Sequence, residues 1–299
     1  MGLYLRPTTL ADALAALADP KLNPPGSHND RLTLLAGGTD FYPAQTARRA
    51  WLEKSPQNML DIWGIDALRH IRRSSEGTTF GGLTTWTDIA QAGLPPAFDA
   101  LKSAAREVGG RQVQNRGTIA GNICNASPAA DGVPPLLALN ARVEIASVRG
   151  ARTLPLADFI TGNRRTALAP DELVTAVHVP PQSDAARSLF LKLGARSYLL
   201  ISIVSVAAVV SCGGDGRVSE AAIAVGACSA VPTRLAGLEA QMRGRTLREI
   251  EPLVAPIAAK ALSPIDDVRG TAAYRHHAAA VLLRRALAGL IPAPSRAAA

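Results

Sequence analysis

The sequence predicts an α+β fold in two parts, because the order of its apolar segments changes along the chain. As far as residue 179, short strand patterns alternate with helical patterns. After a break that contains Pro180 and Pro181, three strand patterns follow one another and three helical patterns come last. Strands grouped before helices are typical of an α+β domain. A chain of 299 residues has room for two or three domains.

The N-terminal part begins with a helix predicted over residues 10–18, with Thr9 as its N-cap. Residues 32–35 predict a strand and residues 42–52 a helix, so the glycine turn between them precedes a helix N-terminus. Further strands are predicted over 58–62 and 141–148, further helices over 97–108 and 134–139, and a strand-to-helix passage over 80–89 with Thr85 or Thr87 as N-cap. Residues 154–160 and 173–179 flank a turn-rich loop.

The C-terminal part is predicted to form a three-stranded sheet followed by helices. Its strands are predicted over residues 188–193, 201–212 and 218–226, and the glycine-rich segment 212–217 predicts a hairpin turn. Helices are predicted over residues 232–242, 247–262 and 271–290. Residues 292–299 are expected to be disordered.

Two glycine-bearing stretches form the candidate site. The first consists of Leu34, Leu35, Ala36, Gly37, Gly38, Thr39, Asp40 and Phe41, and the second includes Gly117, Thr118, Ala120, Gly121, Asn122 and Asp131. Glycine lets backbone N–H groups approach a diphosphate closely, and Thr and Asn add donors without bulk. An aspartate close behind suits the hydroxyl groups of a sugar or ribityl chain. The pair of stretches predicts a dinucleotide cofactor held between two loops.

Alternative interpretations limit this prediction. A single Gly-Gly-Thr-Asp turn also suits an ordinary tight turn, so the prediction depends on both stretches together. Neither stretch has the Gly-x-Gly-x-x-Gly pattern of the doubly wound fold or the Gly-x-x-x-x-Gly-Lys pattern of a phosphate loop. The fold that holds the cofactor is therefore expected to be a different one.

Composition argues against several other classes of protein. Three cysteines far apart predict neither a disulfide framework nor an iron–sulfur cluster, and the histidines lack metal-ligand spacing. The net charge is +8, but the arginines are scattered and only 4% of residues are aromatic, which favours an acidic partner protein or an anionic cofactor over nucleic acid. No apolar run reaches roughly 18 residues, and the first residues do not resemble a signal peptide. No membrane span and a cytoplasmic location are expected.

Stretches spread over nearly the whole chain match one family. They are the turn at residues 36–40, Gly82-Leu83-Thr84-Thr85 with Asp88-Ile89, residues 112–139, 154–159, 171–174, 190–192 and 204–207, and Asp267-Val268-Arg269 with Tyr274-Arg275. In these stretches the sequence resembles the flavin-binding medium subunits of the molybdenum hydroxylases, the family of xanthine dehydrogenase and carbon monoxide dehydrogenase.

The resemblance implies a fold and a cofactor. It implies a two-part FAD-binding domain of the PCMH type, similar to vanillyl-alcohol oxidase, with subdomains at residues 1–57 and 58–179. A C-terminal α/β domain, similar to that of the carbon monoxide dehydrogenase flavoprotein, would occupy residues 184–291. The FAD pyrophosphate would be held by residues 34–41 and 118–122, and Thr84 and Gly117 are assigned to the same site.

The resemblance also implies individual contacts. Asp131 matches a position that contacts the polyol of the cofactor, Val174 an apolar contact beside the adenine, and Lys192 a polar contact. Val108 stands where some members place an aromatic residue beside the flavin ring. Leu200-Ile201 stands where some members carry Asp-Tyr, so the ring is expected to be shielded by aliphatic side chains or by Tyr198.

The residues themselves leave other roles open. Asp131 also suits a helix N-cap, and Lys192 also suits an edge strand from which its amine reaches water. Cys124 is expected to pack in the core and not to link a flavin. Because no histidine stands in the glycine turns, FAD is expected to be bound without a covalent bond.

The function that the resemblance implies is electron transfer within a heterotrimeric molybdenum hydroxylase, of the aldehyde, purine, N-heterocycle or CO dehydrogenase type. A large molybdopterin subunit would oxidise the substrate, and a small subunit with 2Fe-2S clusters would pass the electrons to FAD on this chain. FAD would deliver them to NAD, a quinone or oxygen. No catalytic acid or base is assigned to this chain. The alternatives are a stand-alone FAD-dependent oxidoreductase and a flavin-free scaffold subunit.

Overall fold

Three β-sheets organise the chain, and each belongs to a different segment of the sequence. The computed structural model describes residues 2–24, 31–52, 58–197 and 199–291. Within these residues the three main sheets have three, five and four strands, and one further pair of short strands stands apart. Helices and sheets are thus combined in successive segments, and the predicted α+β class is confirmed.

The first segment forms a small parallel sheet. Its elements are β1 (Tyr4–Leu5), α1 (Leu10–Ala18), β2 (Thr33–Leu35), α2 (Phe41–Ala50) and β3 (Met59–Asp61), in the strand order β1-β3-β2. Helix α1 has the predicted bounds and Thr9 as its N-cap, and it buries Ala13, Leu14 and Leu17. Both other strands pair with β3, so this sheet extends beyond residue 57, where the first subdomain was predicted to end.

The second segment forms a five-stranded antiparallel sheet with helices beside it. Its elements are β4 (Ile71–Ser74), β5 (Gly77–Gly81), α3 (Trp86–Gln91), α4 (Asp99–Glu107), α5 (Arg111–Gln114), α6 (Ile119–Asn125), α7 (Val133–Ala138), β6 (Arg142–Ser147), β7 (Gly150–Pro155), α8 (Leu156–Phe159), β8 (Ile160–Gly162), β9 (Arg165–Thr166) and β10 (Leu173–Val179). The sheet order is β4-β5-β10-β6-β7, and β8 pairs only with β9. Of the two caps considered for α3, the structure has Thr85, in a capping box with Asp88.

The third segment has strands first and helices after them, as predicted. Its elements are β11 (Arg187–Leu193), β12 (Val204–Cys212), β13 (Val218–Gly226), β14 (Thr233–Arg234), α9 (Ala236–Met242), α10 (Leu247–Ala261) and α11 (Ala272–Leu290). The prediction of three strands is corrected to four, because Thr233 and Arg234 pair with β13 instead of starting the helix. Helix α9 therefore begins at Ala236 and not at 232. The predicted disorder at 292–299 lies outside the described residues.

The two faces of the C-terminal sheet pack in different cores, which fixes the third segment against the second. Ala207 and Val209 of β12 lie in the same cluster as Phe80, Trp86 and other residues of the second segment. The alternate residues Val206, Ala208 and Val210 pack with the buried side chains of α9–α11. Alternation along a strand places neighbouring residues on opposite faces, so β12 joins both cores. Within the described residues, no helix is long and apolar enough to cross a membrane.

Candidate cofactor site

A cleft of about 700 Å³ lies where the three segments meet, and both glycine stretches line it. The predicted site residues that line it are Leu34, Leu35, Ala36, Gly37, Gly38, Thr39, Asp40, Phe41, Val108, Gly117, Thr118, Ala120, Gly121, Asn122, Asp131 and Val174. Leu199, Leu200 and Ile201, which precede β12, complete the lining from the C-terminal segment. This volume is within the range of roughly 300–1,000 Å³ that small-molecule sites have.

Two predicted site residues do not line the cleft. Thr84 is buried, and its hydroxyl donates to the carbonyl oxygen of His70 at 2.9 Å. Lys192 does not line the cleft, but its amine contacts two lining residues: it donates to Asp131 Oδ2 at 2.6 Å and to the carbonyl oxygen of Glu107 at 3.4 Å. Thr84 therefore supports the loop before α3. Its predicted contact with the cofactor stays a prediction, because Thr84 is not among the residues that line the cleft.

The first glycine loop presents unused backbone donors to the cleft. The loop leaves β2 and ends at α2, and Gly38 adopts the left-handed region with a φ of 75°. Among the described residues, the amide N–H groups of residues 36–41 donate to no protein acceptor. Such a row of donors at a helix N-terminus is a binding site for an anion such as a diphosphate.

The two glycine stretches pack directly against each other. A Cβ atom at Gly37 would overlap the backbone carbonyl of Arg116, and one at Gly117 would lie 3.0 Å from the carbonyl oxygen of Val113. The glycines were predicted to let the backbone approach a cofactor, and at Gly37 the close approach is between the two loops. The guanidinium group of Arg116 stacks over the Trp63 ring, 3.7 Å from its centroid, and holds the second loop from outside.

The second glycine stretch begins helix α6, which the sequence did not predict. Thr118 is the N-cap, and its hydroxyl accepts from the Gly121 N–H at 3.0 Å. The N–H groups of Ile119 and Ala120 donate to the carbonyl oxygens of Thr84 and Gly82. Because the protein itself satisfies these donors, this stretch offers the cleft a bare Cα at Gly121 and a polar side chain rather than a row of N–H groups.

That polar side chain is Asn122. Its Oδ1 atom is buried and has no hydrogen-bond partner among the described residues. A buried amide oxygen without a donor is unfavourable in a folded protein unless a ligand or water donates to it. Asn122 lines the cleft, so its side chain is a candidate contact for a bound cofactor.

Asp131 stands in a buried polar cluster at the wall of the cleft. Its Oδ2 accepts from Lys192 Nζ at 2.6 Å, and its Oδ1 accepts from the hydroxyl of Ser202. Burial raises the pKa of Asp131, and the Lys192 charge and the two hydrogen bonds oppose this rise. The cluster joins the second segment to the third.

The contacts of Asp131 and Lys192 rule out the alternative roles that the sequence left open for these two residues. Gly132, not Asp131, is the N-cap of α7, so the suggestion that Asp131 caps a helix is wrong. Only 7% of the Lys192 side chain is exposed, so this residue of the edge strand β11 does not extend its amine into water. Both side chains are directed inward because they neutralise each other's buried charge.

Apolar side chains line the rest of the cleft. Val108 and Val113 lie in the second segment, and Leu199–Ile201 face them from the third. Leu168 and the β10 residues Leu173 and Val174 form a further apolar wall of the cleft. Tyr198, the other residue predicted to shield the flavin ring, lies outside the described residues. Aliphatic side chains and a loop of backbone donors in one cleft suit a ligand in which two flat aromatic ring systems are joined through a diphosphate, as they are in FAD.

Cys124 has the chemistry of a core residue. It packs against the main hydrophobic cluster, and burial raises the pKa of its thiol to about 12. The thiol is therefore protonated at neutral pH and is not a nucleophile. Sequence reasoning missed several residues that line the cleft, namely Ile62, Trp86, Gln112 and Arg164. Asn125 and Ser127, which belong to the second glycine stretch, also line the cleft, whereas Arg164 stood in the turn-rich loop, to which no role was assigned.

Comparisons with known proteins match the chain from end to end. Residues 1–182 match the family described as the FAD binding domain in molybdopterin dehydrogenase, and residues 190–290 match the CO dehydrogenase flavoprotein C-terminal domain. A putative xanthine dehydrogenase FAD-binding subunit of Escherichia coli is 32% identical, with 97% of this chain and 96% of that protein aligned. The glyceraldehyde dehydrogenase medium chain of Sulfolobus acidocaldarius is also 32% identical, over 95% of this chain and 96% of the relative.

One solved structure of similar fold aligns with this chain over nearly the whole length of both. A chain of reconstituted CO dehydrogenase from Oligotropha carboxidovorans superposes with a TM-score of 0.87 and 27% identity, covering 96% of each chain. The protein belongs to the family of FAD-binding medium subunits of the molybdenum hydroxylases, and it is an oxidoreductase subunit. The resemblance identified from the sequence is thereby confirmed, and so is FAD as the cofactor of the domain.

Proposed function

We propose that this chain carries FAD as the electron-transferring subunit of a three-component molybdenum hydroxylase. A large molybdopterin subunit would oxidise the substrate, and a small 2Fe-2S subunit would pass the electrons on. The bound FAD would take electrons from the iron–sulfur clusters, which carry one electron at a time, and would deliver them to an external acceptor. That acceptor would be NAD, a quinone or oxygen. This chain's residues bind and orient the cofactor and exclude water from it.

The observation that carries the proposal is the cleft between the two glycine stretches. The unused N–H groups of residues 36–41, the polar side chain of Asn122 and the aliphatic side chains of the lining together suit FAD. None of the described residues that line the cleft is a histidine or lysine, and its one lining cysteine is protonated. This lining supports a role in holding a redox cofactor, with substrate chemistry on another subunit.

The relatives support the placement in a complex. They include medium chains or subunits of a nicotine 6-hydroxylase and of a carbon monoxide dehydrogenase, each of which is 95% covered by the alignment. The net charge of +8 favours docking to acidic subunits, and an interface of exposed charges weakens as salt increases. We infer that the assembly dissociates more readily at high ionic strength.

The test compares the isolated chain with the chain co-expressed with its neighbouring subunits. The isolated FAD-loaded chain should transfer electrons from a reductant to an artificial dye but should not oxidise purines, aldehydes, N-heterocycles or CO. The complex should oxidise one of these classes and reduce NAD, a quinone or oxygen. A Gly38→Val chain is the flavin-free control.

Each alternative has its own result in this test. Substrate oxidation by the isolated chain, without molybdenum, would favour the stand-alone oxidoreductase. A chain that binds its partners but no flavin would favour the scaffold. Failure of the complex to reduce any of the three acceptors would overturn the proposed direction of electron flow.

A further inference from the structure

Arg164 is a charged residue of the cleft that the sequence patterns did not assign. The charged residues among the described lining are Asp40, Glu107, Asp131 and Arg164, so Arg164 is the only cation in this set. The nearby Lys192 is already paired with Asp131 behind the wall. A diphosphate in this cleft brings further negative charge to a lining whose other charged residues are acidic, and a positive side chain would strengthen its binding beyond what the backbone donors supply.

The charge of Arg164 is not neutralised by the protein. Its Nη1 donates to Asn125 Oδ1 at 2.6 Å, and no carboxylate of the described residues lies within ion-pair distance. Asn125 also lines the cleft, so this bond directs the guanidinium group without cancelling its charge. The remaining N–H donors of the guanidinium group stay available to a ligand.

The backbone at Arg164 does not favour an arginine. Its φ is 53°, in the left-handed region, where glycine or asparagine is the more favourable residue. Its N–H donates to the carbonyl oxygen of Ala126 at 2.9 Å, and Ala126 is itself left-handed, with a φ of 45°, as the C-cap of α6. The backbone hydrogen bond fixes Arg164 to the end of the helix that carries the second glycine stretch, so its side chain is held at the cleft.

We propose that Arg164 is the counter-cation of the FAD diphosphate. The planar guanidinium group suits bidentate contact with phosphate oxygens, and Asn125 positions it. This inference rests on the proposed function only for the identity of the ligand. It adds a binding residue from the turn between β8 and β9, outside both glycine stretches.

The test measures FAD affinity of the full-length chain after removal of its flavin. Arg164→Ala, Arg164→Lys and Arg165→Ala are titrated with FAD by flavin fluorescence at low and high salt. Arg165 is the matched control, because it is the neighbouring exposed arginine and does not line the cleft. Melting temperatures of the flavin-free proteins check that each variant folds.

Loss of a charge-assisted contact predicts that Arg164→Ala binds FAD roughly 10-fold or more weakly at low salt. Its affinity should also depend less on salt than that of the wild type, because the screened attraction is gone. Arg164→Lys should retain part of the affinity, and Arg165→Ala should behave as wild type. A purely structural role would lower affinity without changing the salt dependence.

Two results would overturn the inference: wild-type affinity in Arg164→Ala, or a weaker affinity with unchanged salt dependence. Both leave the proposed function standing, because the wild type still binds FAD. A wild-type chain that binds no FAD would instead overturn the proposed function and this inference with it.

Discussion

At the scale of single residues, Gly38 decides whether the first loop can present its N–H groups. Its φ is 75°, and a Cβ atom there would lie 2.7 Å from a ring carbon of Tyr42. We expect Gly38→Ala to shift the loop and to lower FAD affinity by about 10-fold or more, measured by titration of the flavin-free chain. Gly93→Ala is the control, since its Cβ would meet nothing within 4 Å. Equal affinities of both variants would show that the loop is not the diphosphate site.

Lys192 has its effect through Asp131. Lys192→Met leaves a buried carboxylate without its counter-charge, which should cost about 3 kcal/mol of unfolding free energy at pH 7. The pKa of Asp131 is already raised by burial and should rise further in the variant. A raised folded pKa makes the carboxylate destabilising above its unfolded pKa, so the deficit should shrink as pH falls and Asp131 takes up a proton.

Denaturant unfolding between pH 4 and pH 8 measures this deficit. Lys260→Met is the control, because Lys260 is exposed and forms no ion pair among the described residues. A deficit of the same size at every pH would mean that Lys192 contributes packing and not charge.

Residue roles could be predicted where the residue type alone limits the chemistry. The glycines, Thr118 and Asn122 are such cases, and the structure places all of them at one cleft. The partners of Asp131 could not be worked out from pattern, since Lys192 and Ser202 are 61 and 71 residues away in sequence. The position of Arg164 in the cleft could not be predicted either, because its positive φ and its contact with Asn125 are properties of the folded chain.

At the scale of elements, Glu172 fixes the turn that leads into β10 and so positions the apolar wall at Leu173 and Val174. Its carboxylate accepts from Arg152 Nε at 2.8 Å, from Arg152 Nη2 at 2.7 Å and from the Ala169 N–H at 2.7 Å. These bonds to Arg152 and the backbone lower the pKa of Glu172 to about 2. The lowered pKa means that the ionised form stabilises the fold.

Glu172→Gln should therefore lose about 1–2 kcal/mol of unfolding free energy at pH 7. The expected loss is this small because solvent around the half-exposed Arg152 screens the ion pair. Because the folded pKa is depressed, the wild-type advantage should be complete above the unfolded value of 4.5 and disappear as pH falls towards about 2. Thermal melts across this range measure it. Asp171→Asn, whose partner Arg149 is more exposed, should lose less. A pH-independent loss would exclude the ion pair as the cause.

Elements with a strong local pattern could be predicted, and those that depend on distant partners could not. Helix α1 has a cap, an apolar face and a proline after its end, and its predicted bounds are those observed. Helix α6 contains Gly121 and Asn122, which are poor helix formers, and it forms because Thr118 caps it and Ile119 and Ile123 are buried. The two-residue strand β14 depends on pairing with β13, which no local pattern encodes.

At the scale of the whole molecule, the cleft needs all three segments. Residues 36–41 come from the first, α6 and Asp131 from the second, and Leu199–Ile201 from the third. Since β12 packs in the cores on both sides of its sheet, the third segment is held as a wall of the site. A ligand in such a cleft contacts every segment, so binding should stabilise the folded chain as a unit.

The most direct test of this account is acid precipitation of the purified chain. The first glycine loop offers backbone hydrogen-bond donors, and the one cysteine among the described residues of the cleft is a protonated thiol. The account predicts a yellow protein with one FAD per chain, all of which passes into the supernatant when acid denatures the protein. A colourless chain that takes up no FAD, or yellow colour that stays in the pellet, would contradict it.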